Sequence, residues 1–137
     1  RAVVCGKPVD NVGNFVDYLL KDEKANVSKI VDKGTTGAKR AELDYRVVDT
    51  AEKEGQELSL VEIHLKTGRH HQIRCQLAKM GCPIKGDLKY GSPRSNPDGS
   101  ICLHARRVRF VHPVSKELIE LKAPLPEGNL WKGFELF

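Results

Sequence analysis

The hydrophobic rhythm of the chain changes at Thr67-Gly68, and that change limits the folds open to it. Before it, Leu58-Ser59-Leu60 and Ile63-His64-Leu65 alternate as a strand does, with the alternation broken at Val61. After it, Ile73, Leu77 and Met80 recur at helical spacing, Arg74 and Ala78 form a neighbouring stripe, and Gln72, Gln76 and Lys79 a polar one. Gly81 then stands where a helix closes on a residue of positive φ.

Strand text dominates elsewhere. Ala2–Cys5 is a short apolar strand ended by Gly6-Lys7-Pro8, and Asn14–Leu20 and Val27–Val31 are two further candidates. Leu43–Val48 and Leu58–Leu65 read as paired strands joined by a hairpin across Asp49 to Gln56. Lys33–Arg40 is a glycine-containing loop that fails the Walker pattern, because only two residues separate its glycines. Past the helix, Pro83-Ile84 is extended, Ser92–Ser100 is a polar loop, and Leu103–Val111 and Leu118–Leu121 are strands. With one clear helix and no repeated βαβ rhythm, the chain reads as a single α+β domain spanning residues 1–137, its sheet mixed but largely antiparallel and flanked by the helix.

No apolar run is long enough to cross a bilayer and no signal-peptide pattern opens the chain, so the cytoplasm is the expected compartment. Cys5, Cys75, Cys82 and Cys102 form no C-x-x-C pair, which favours reduced, buried thiols over a disulfide framework or a zinc site. The histidines fall at no liganding interval, and no metal site is expected. Lys plus Arg exceed Asp plus Glu by 23 to 18, giving a net charge of +5. Such a balance favours a polyanionic partner or is simply a solvated basic surface. Position adds to it: Arg69, Arg74, Lys85, Lys89, Arg94, Arg106, Arg107 and Arg109 crowd the half of the chain that holds the helix.

Three blocks in that half form a recognisable series: Leu65-Lys66-Thr67-Gly68-Arg69-His70-His71-Gln72-Ile73-Arg74, then Gly86-Asp87-Leu88-Lys89-Tyr90-Gly91, then Leu103-His104-Ala105. In order and spacing they resemble the second half of the catalytic domain of the RluA-like RNA pseudouridine synthases. There the texts run L-x-T-G-R-[ST]-H-Q-I-R, G-x-P-I-x-G-D-x-x-Y-G and L-H-A. The resemblance implies a cofactor-free enzyme that isomerises uridine in structured RNA, either rRNA or tRNA. It also implies that a carboxylate nucleophile sits in an H-R-L-D loop and that an aromatic Tyr stacks on the target base. This sequence contains no H-R-L-D, and the family alignment puts the Tyr just before Arg1. The chain also begins without Met, so it is expected to be the C-terminal part of a longer synthase, inactive alone.

The residue expected to matter most is Arg74. One turn into the helix beside Ile73 and Leu77, its guanidinium suits two-point pairing with a carboxylate. The resemblance implies that this partner is the upstream nucleophile; the alternative is an ordinary surface arginine. The turn Thr67-Gly68-Arg69-His70 leads into the helix N-terminus, where free N–H groups suit phosphate and Thr67 is placed to cap. Arg69, His70 and His71 are candidates for contacting RNA or bracing the turn, and His70 departs from the family's Ser or Thr. His70 and His71, being adjacent, are expected on different helix faces. Lys85, Lys89, Arg106 and Arg107 are candidate phosphate contacts, and Leu103 is either part of the apolar floor under a flipped uracil or simple core. Asp87 is expected to close an Asx turn as scaffold, with Tyr90 packing or hydrogen-bonding beside it. A non-catalytic RNA-binding module on the same scaffold is the rival reading.

Overall fold

The computed structural model describes residues 1–53, 55–96 and 99–104, together with the backbone of residues 107–111 and 118–122. Strands β1 (Ala2–Cys5), β2 (Val12–Asp22), β3 (Val27–Val31), β4 (Lys39–Lys53) and β5 (Gln56–Leu65) form a five-stranded sheet in the order β1-β5-β4-β2-β3. Every pairing in it is antiparallel. Strands β6 (Arg107–Val111) and β7 (Leu118–Lys122) make a separate antiparallel pair. Among the described residues the only α-helix is α1 (Gln72–Lys79), followed by a short 3-10 turn over Leu88–Tyr90. The architecture is α+β.

Both β2 and β4 run past their apolar text. β4 is central, pairing β2 along one edge and β5 along the other, so its polar ends Lys39-Arg40 and Asp49–Lys53 are held by neighbours and not by their own propensity. A bulge in β4 explains the irregularity at Val61. Val47 faces Val61, but the next partner of Leu60 is Asp49, so β4 carries one extra residue at this point. Leu58 to Val61 are consecutively buried, as are all four residues of β1.

The main core joins Val3, Val4, Leu43, Leu58, Leu60 and Val61 of the sheet to Leu77 of α1 and to Ile84. A smaller cluster joins Leu19 and Ala41 of the sheet to Cys75 of α1, with Ile30 and Tyr90 against it. The polar stripe of the helix turns inward: Gln72 and Gln76 are 2% and 1% exposed. The sheet supplies the reason. Gln76 Nε2 donates to Asp17 Oδ2 at 3.0 Å and to the Ala41 carbonyl at 3.3 Å, while Lys79 pairs with the same Asp17. An amide satisfies these buried acceptors where an apolar side chain would leave them orphaned. Past the helix, Gly81 (φ 90) donates to Ala78 O at 3.0 Å and Cys82 to Leu77 O at 3.1 Å, a Schellman closure.

The outer edge of β1 is closed by distant chain. Cys5 N–H donates to Pro83 O, Lys85 N–H to Val3 O, Val3 N–H to Cys102 O and His104 N–H to Arg1 O, at 2.8 to 3.0 Å. Gly86, at φ 90, begins the connection between these two segments, and a Cβ there would meet Ser100 O at 2.6 Å. All four cysteines are buried and none is in a disulfide. Burial raises the thiol pKa of Cys75 and Cys82.

The face of the sheet away from the main core cluster carries alternating charges that answer one another. Glu62 accepts from Arg46 at 3.3 Å and pairs with His64 at 2.9 Å; Arg40 pairs with Glu42 at 3.0 Å and Lys66 with Asp44 at 3.6 Å. Asn14 Nδ2 donates to both Glu42 and Asp44, and this hydrogen bond is the main cause lowering each carboxyl pKa.

Candidate active site

At Leu65 the chain leaves β5 and crosses the start of β4 before entering α1. Lys66 and Thr67 N–H both donate to the Glu42 carbonyl, at 3.0 and 3.3 Å, and Thr67 Oγ1 accepts the Glu42 N–H at 2.9 Å. Thr67 Oγ1 then donates to Gln72 Oε1 at 2.7 Å, which also accepts the Arg69 N–H at 3.0 Å, while Gln72 Nε2 returns to Glu42 O at 3.0 Å. Thr67 therefore does not cap α1; it clamps the turn through Gln72. The N-cap position falls to His71, held at φ 51 with no side-chain cap bond. A left-handed conformation is uncommon for a residue with a Cβ, and here the surrounding contacts enforce it.

Those contacts are side-chain ones. The rings of His70 and His71 stack with centroids 3.8 Å apart and planes 22° from parallel, so the adjacent histidines share a side and do not diverge as a helical pair would. The left-handed turn at His71 is the reason. Ser28 Oγ donates to the His70 carbonyl at 2.7 Å, which uses its only proton, so His70 Nδ1 must carry the hydrogen that bridges the remaining 3.0 Å contact to Ser28 Oγ. His71 is fixed in the same way. Arg74 Nη1 lies 3.1 Å from His71 Nε2 and can only donate, so Nδ1 bears the proton and faces the Tyr90 hydroxyl at 2.9 Å. That hydroxyl also accepts the Ser28 N–H at 2.8 Å. Burial, then the Arg74 charge, holds the His71 pKa below its ordinary value.

Arg74 closes the series. Its Nε and Nη2 donate to the two carboxylate oxygens of Asp87, each at 2.8 Å, and its guanidinium carbon lies 5.0 Å from the centre of the Tyr90 ring. Asp87 is 1% exposed. This pairing raises the Arg74 pKa above its usual value. One sequence expectation is thereby revised. Asp87 makes no side-chain cap bond, because its carboxylate is spent on Arg74; its backbone carbonyl closes the local turn by accepting Tyr90 and Ser92 N–H. Among the described residues, the two-point partner of Arg74 is this Asp87.

Comparison with known proteins gives the constellation its context. Residues 1–79 match the family model of RNA pseudouridylate synthase. The chain belongs to that family. Over 126 residues, covering 91% of this chain and 40% of the relative, it is 34% identical to ribosomal large subunit pseudouridine synthase C of Rickettsia conorii. The RNA pseudouridine synthase YhcT of Bacillus subtilis is 44% identical over 90 residues, 66% of this chain and 29% of that protein. Human RNA Pseudouridylate Synthase Domain Containing 1 superposes with a TM-score of 0.73 at 26% identity, covering 91% of this chain and 53% of that one. The chain thus spans less than half the length of these curated relatives.

In this member of the family the fold brings Arg69, His70, His71 and Arg74 to the start of α1, and Lys89, exposed in the 3-10 turn, contributes to lowering the His71 pKa. Lys85 and Leu103 belong to a different place. Lys85 is 9% exposed and its backbone closes the edge of β1; Leu103 bridges Ala2 and is partly buried against the main core. Arg106 lies outside the described residues, and Arg107 is described only as backbone in β6. Among the described residues no group of His, Cys, Asp and Glu is arranged to hold a metal, and no helix is long and apolar enough to cross a membrane. Sequence reading missed Ser28 altogether, since only the β2-β3 pairing places it beneath His70.

Proposed function

We propose that this chain is the C-terminal part of a cytoplasmic RNA pseudouridine synthase acting on uridine in rRNA or tRNA, and that Arg74 is its catalytic arginine. The observation that carries the reading is the Arg74–Asp87 pair within the family's motif series. A guanidinium has five N–H groups. Asp87 takes two of Arg74's and His71 a third, which leaves one N–H on each Nη for a second anion. In the reaction the family resemblance implies, that anion is the nucleophilic carboxylate, supplied by chain upstream of Arg1. A fixed guanidinium favours the ionised carboxylate and so keeps the nucleophile competent without a cofactor.

The other residues serve this geometry. Asp87 sets the guanidinium plane, neutral His71 stops Arg74 from rotating, and Tyr90 carries the cation on its ring. Arg69, His70 and Lys89 would lie beside the extruded nucleotide, whose base has to leave its stack for chemistry to occur. Lys85 and Leu103, at the β1 edge next to Arg1, would stand toward the segment bearing the base-stacking Tyr. Arg106 and Arg107 are retained as phosphate contacts on the grounds of charge alone.

The deciding experiment is single-turnover pseudouridine formation by the full-length enzyme carrying Arg74→Lys. An ammonium cannot hold Asp87 at two points and present two further donors, so turnover should fall by at least about a hundredfold, as it does when a positioned donor is lost. Near-normal turnover would remove Arg74 from the reaction, and uridine left unmodified by the wild-type full-length protein would favour an RNA-binding module.

A further inference from the structure

We infer that the groove between the β2-β3 hairpin and the Gly68-Arg69-His70 turn binds a backbone phosphate of single-stranded RNA, through Lys21, Lys39, Arg69 and His70. The inference rests on the RNA-substrate reading above and adds a site to it. Cross-strand register creates the groove. Lys21 stands opposite Ser28 and Leu19 opposite Lys39, which puts all four on one face of the sheet, the face on which Leu19 packs under α1. The helix begins only at Gln72, so this end of the face is left open as a groove of about 200 Å³.

Its charge is one-sided. The lining includes Lys21, Lys39, Arg69 and His70, and no carboxylate. Arg69 Nε donates to the Arg40 carbonyl at 2.8 Å, which fixes the guanidinium and leaves both Nη groups without a partner among the described residues. Lys39 has no ion pair among them either, and Lys21 has only a 3.5 Å contact to Glu23, a side chain 81% exposed. His70, whose Nδ1–H is spent on Ser28, turns Nε2 to the groove and donates to an anion from it only as the imidazolium. A phosphodiester matches this set, because two anionic oxygens fit the end of a guanidinium while the lysines answer the charge from the side. A strand is favoured over a free anion by continuity. Ser28, which anchors His70 with its hydroxyl, donates its N–H to Tyr90, and Tyr90 lies against Arg74, so one wall serves both the groove and the catalytic arginine.

The test is the affinity of the full-length protein for a short single-stranded uridine-containing RNA, measured across a range of salt. The double variant Lys21→Ala/Lys39→Ala should lower the slope of log affinity against log salt by about 0.7 for each phosphate the protein no longer neutralises. Both lysines are exposed, so its thermal unfolding should match wild type. Lys7→Ala/Lys24→Ala removes the same charge elsewhere and should leave the slope near wild type. Arg69→Lys keeps the charge but loses the fork, and should weaken binding at every salt concentration. Equal slopes for the two lysine pairs, or binding of inorganic phosphate with no preference for RNA, would overturn the groove. The two readings separate cleanly. A wild-type slope in Lys21→Ala/Lys39→Ala removes the groove and leaves Arg74 in place; a reduced slope with no uridine isomerised by the full-length enzyme leaves the groove and removes the catalysis.

Discussion

The two faces of the sheet both carry basic side chains and use them differently. On the open face Arg40, Arg46, His64 and Lys66 each meet a carboxylate, in pairs whose arginine or lysine side chains are about half exposed. On the helix face Arg74 meets a carboxylate that water does not reach, while Lys39 and the terminal nitrogens of Arg69 meet none among the described residues. Exposed pairs contribute little to stability, typically about 0 to 1 kcal/mol. Breaking a buried pair is costly, since the remaining charge has no solvent to return to. Charge is thus merely neutralised on the open face, structural at Arg74, and still available at Lys39 and Arg69.

The largest expected effect breaks the helix-face pair. Arg74→Ala strands the Asp87 carboxylate and should lower the unfolding free energy of the chain by about 3–5 kcal/mol in denaturant titration. A loss below about 1 kcal/mol, the range of exposed pairs, would mean that Asp87 finds water or another partner and that the two faces are alike.

A smaller effect comes from acid. The folded pKa of His71 lies below its ordinary value of 6.5, mainly because of burial. The unfolded chain therefore binds the extra proton first, so stability contributed by neutral His71 is complete above about 6.5 and is lost as pH falls below it. Protonation would also place a donor against Arg74 Nη1. Thermal unfolding at a series of pH values should show this loss, and His71→Gln should flatten it. An unchanged pH profile in that variant would transfer the effect to other groups. The smallest effect belongs to the open face: Arg46→Ala should cost less than about 1 kcal/mol in the same denaturant titration, because Glu62 keeps His64 and Arg1 as partners.

How much of this could be read without coordinates follows from what each feature depends on. The strand-to-helix switch and Gly81 as the helix stop were legible, because period and glycine position are local. The inward turn of Gln72 and Gln76 was not. A polar stripe on a helix normally faces solvent, and the acceptors that Asp17, Ala41 and Glu42 present to it from the neighbouring strands reverse that. Stacking of His70 on His71 was likewise hidden, since it follows from one positive φ at a residue that seldom adopts it. Asp87 was read as a turn residue because local rules describe it well until Arg74 arrives from 13 positions upstream. Lys21 and Lys39 carried no local signal at all; strand register alone sets them beside Arg69.

The closure of β1 bears on the order of assembly. Strands β2 to β5 form hairpins and one short crossover, so their contacts can form while only nearby chain is collected. The outer bonds of β1 instead join residues 1–5 to residues 83–104. Loop-closure entropy for such distant partners has to be met before their hydrogen bonds return anything. Strands β2 to β5 can therefore gather first, and the β1 edge acts as the latch that converts a local assembly into one cooperative unit. Gly86 lies in the connection that carries this latch, so the turn beside Asp87 ties the Arg74–Asp87 pair to the closing of the β1 edge.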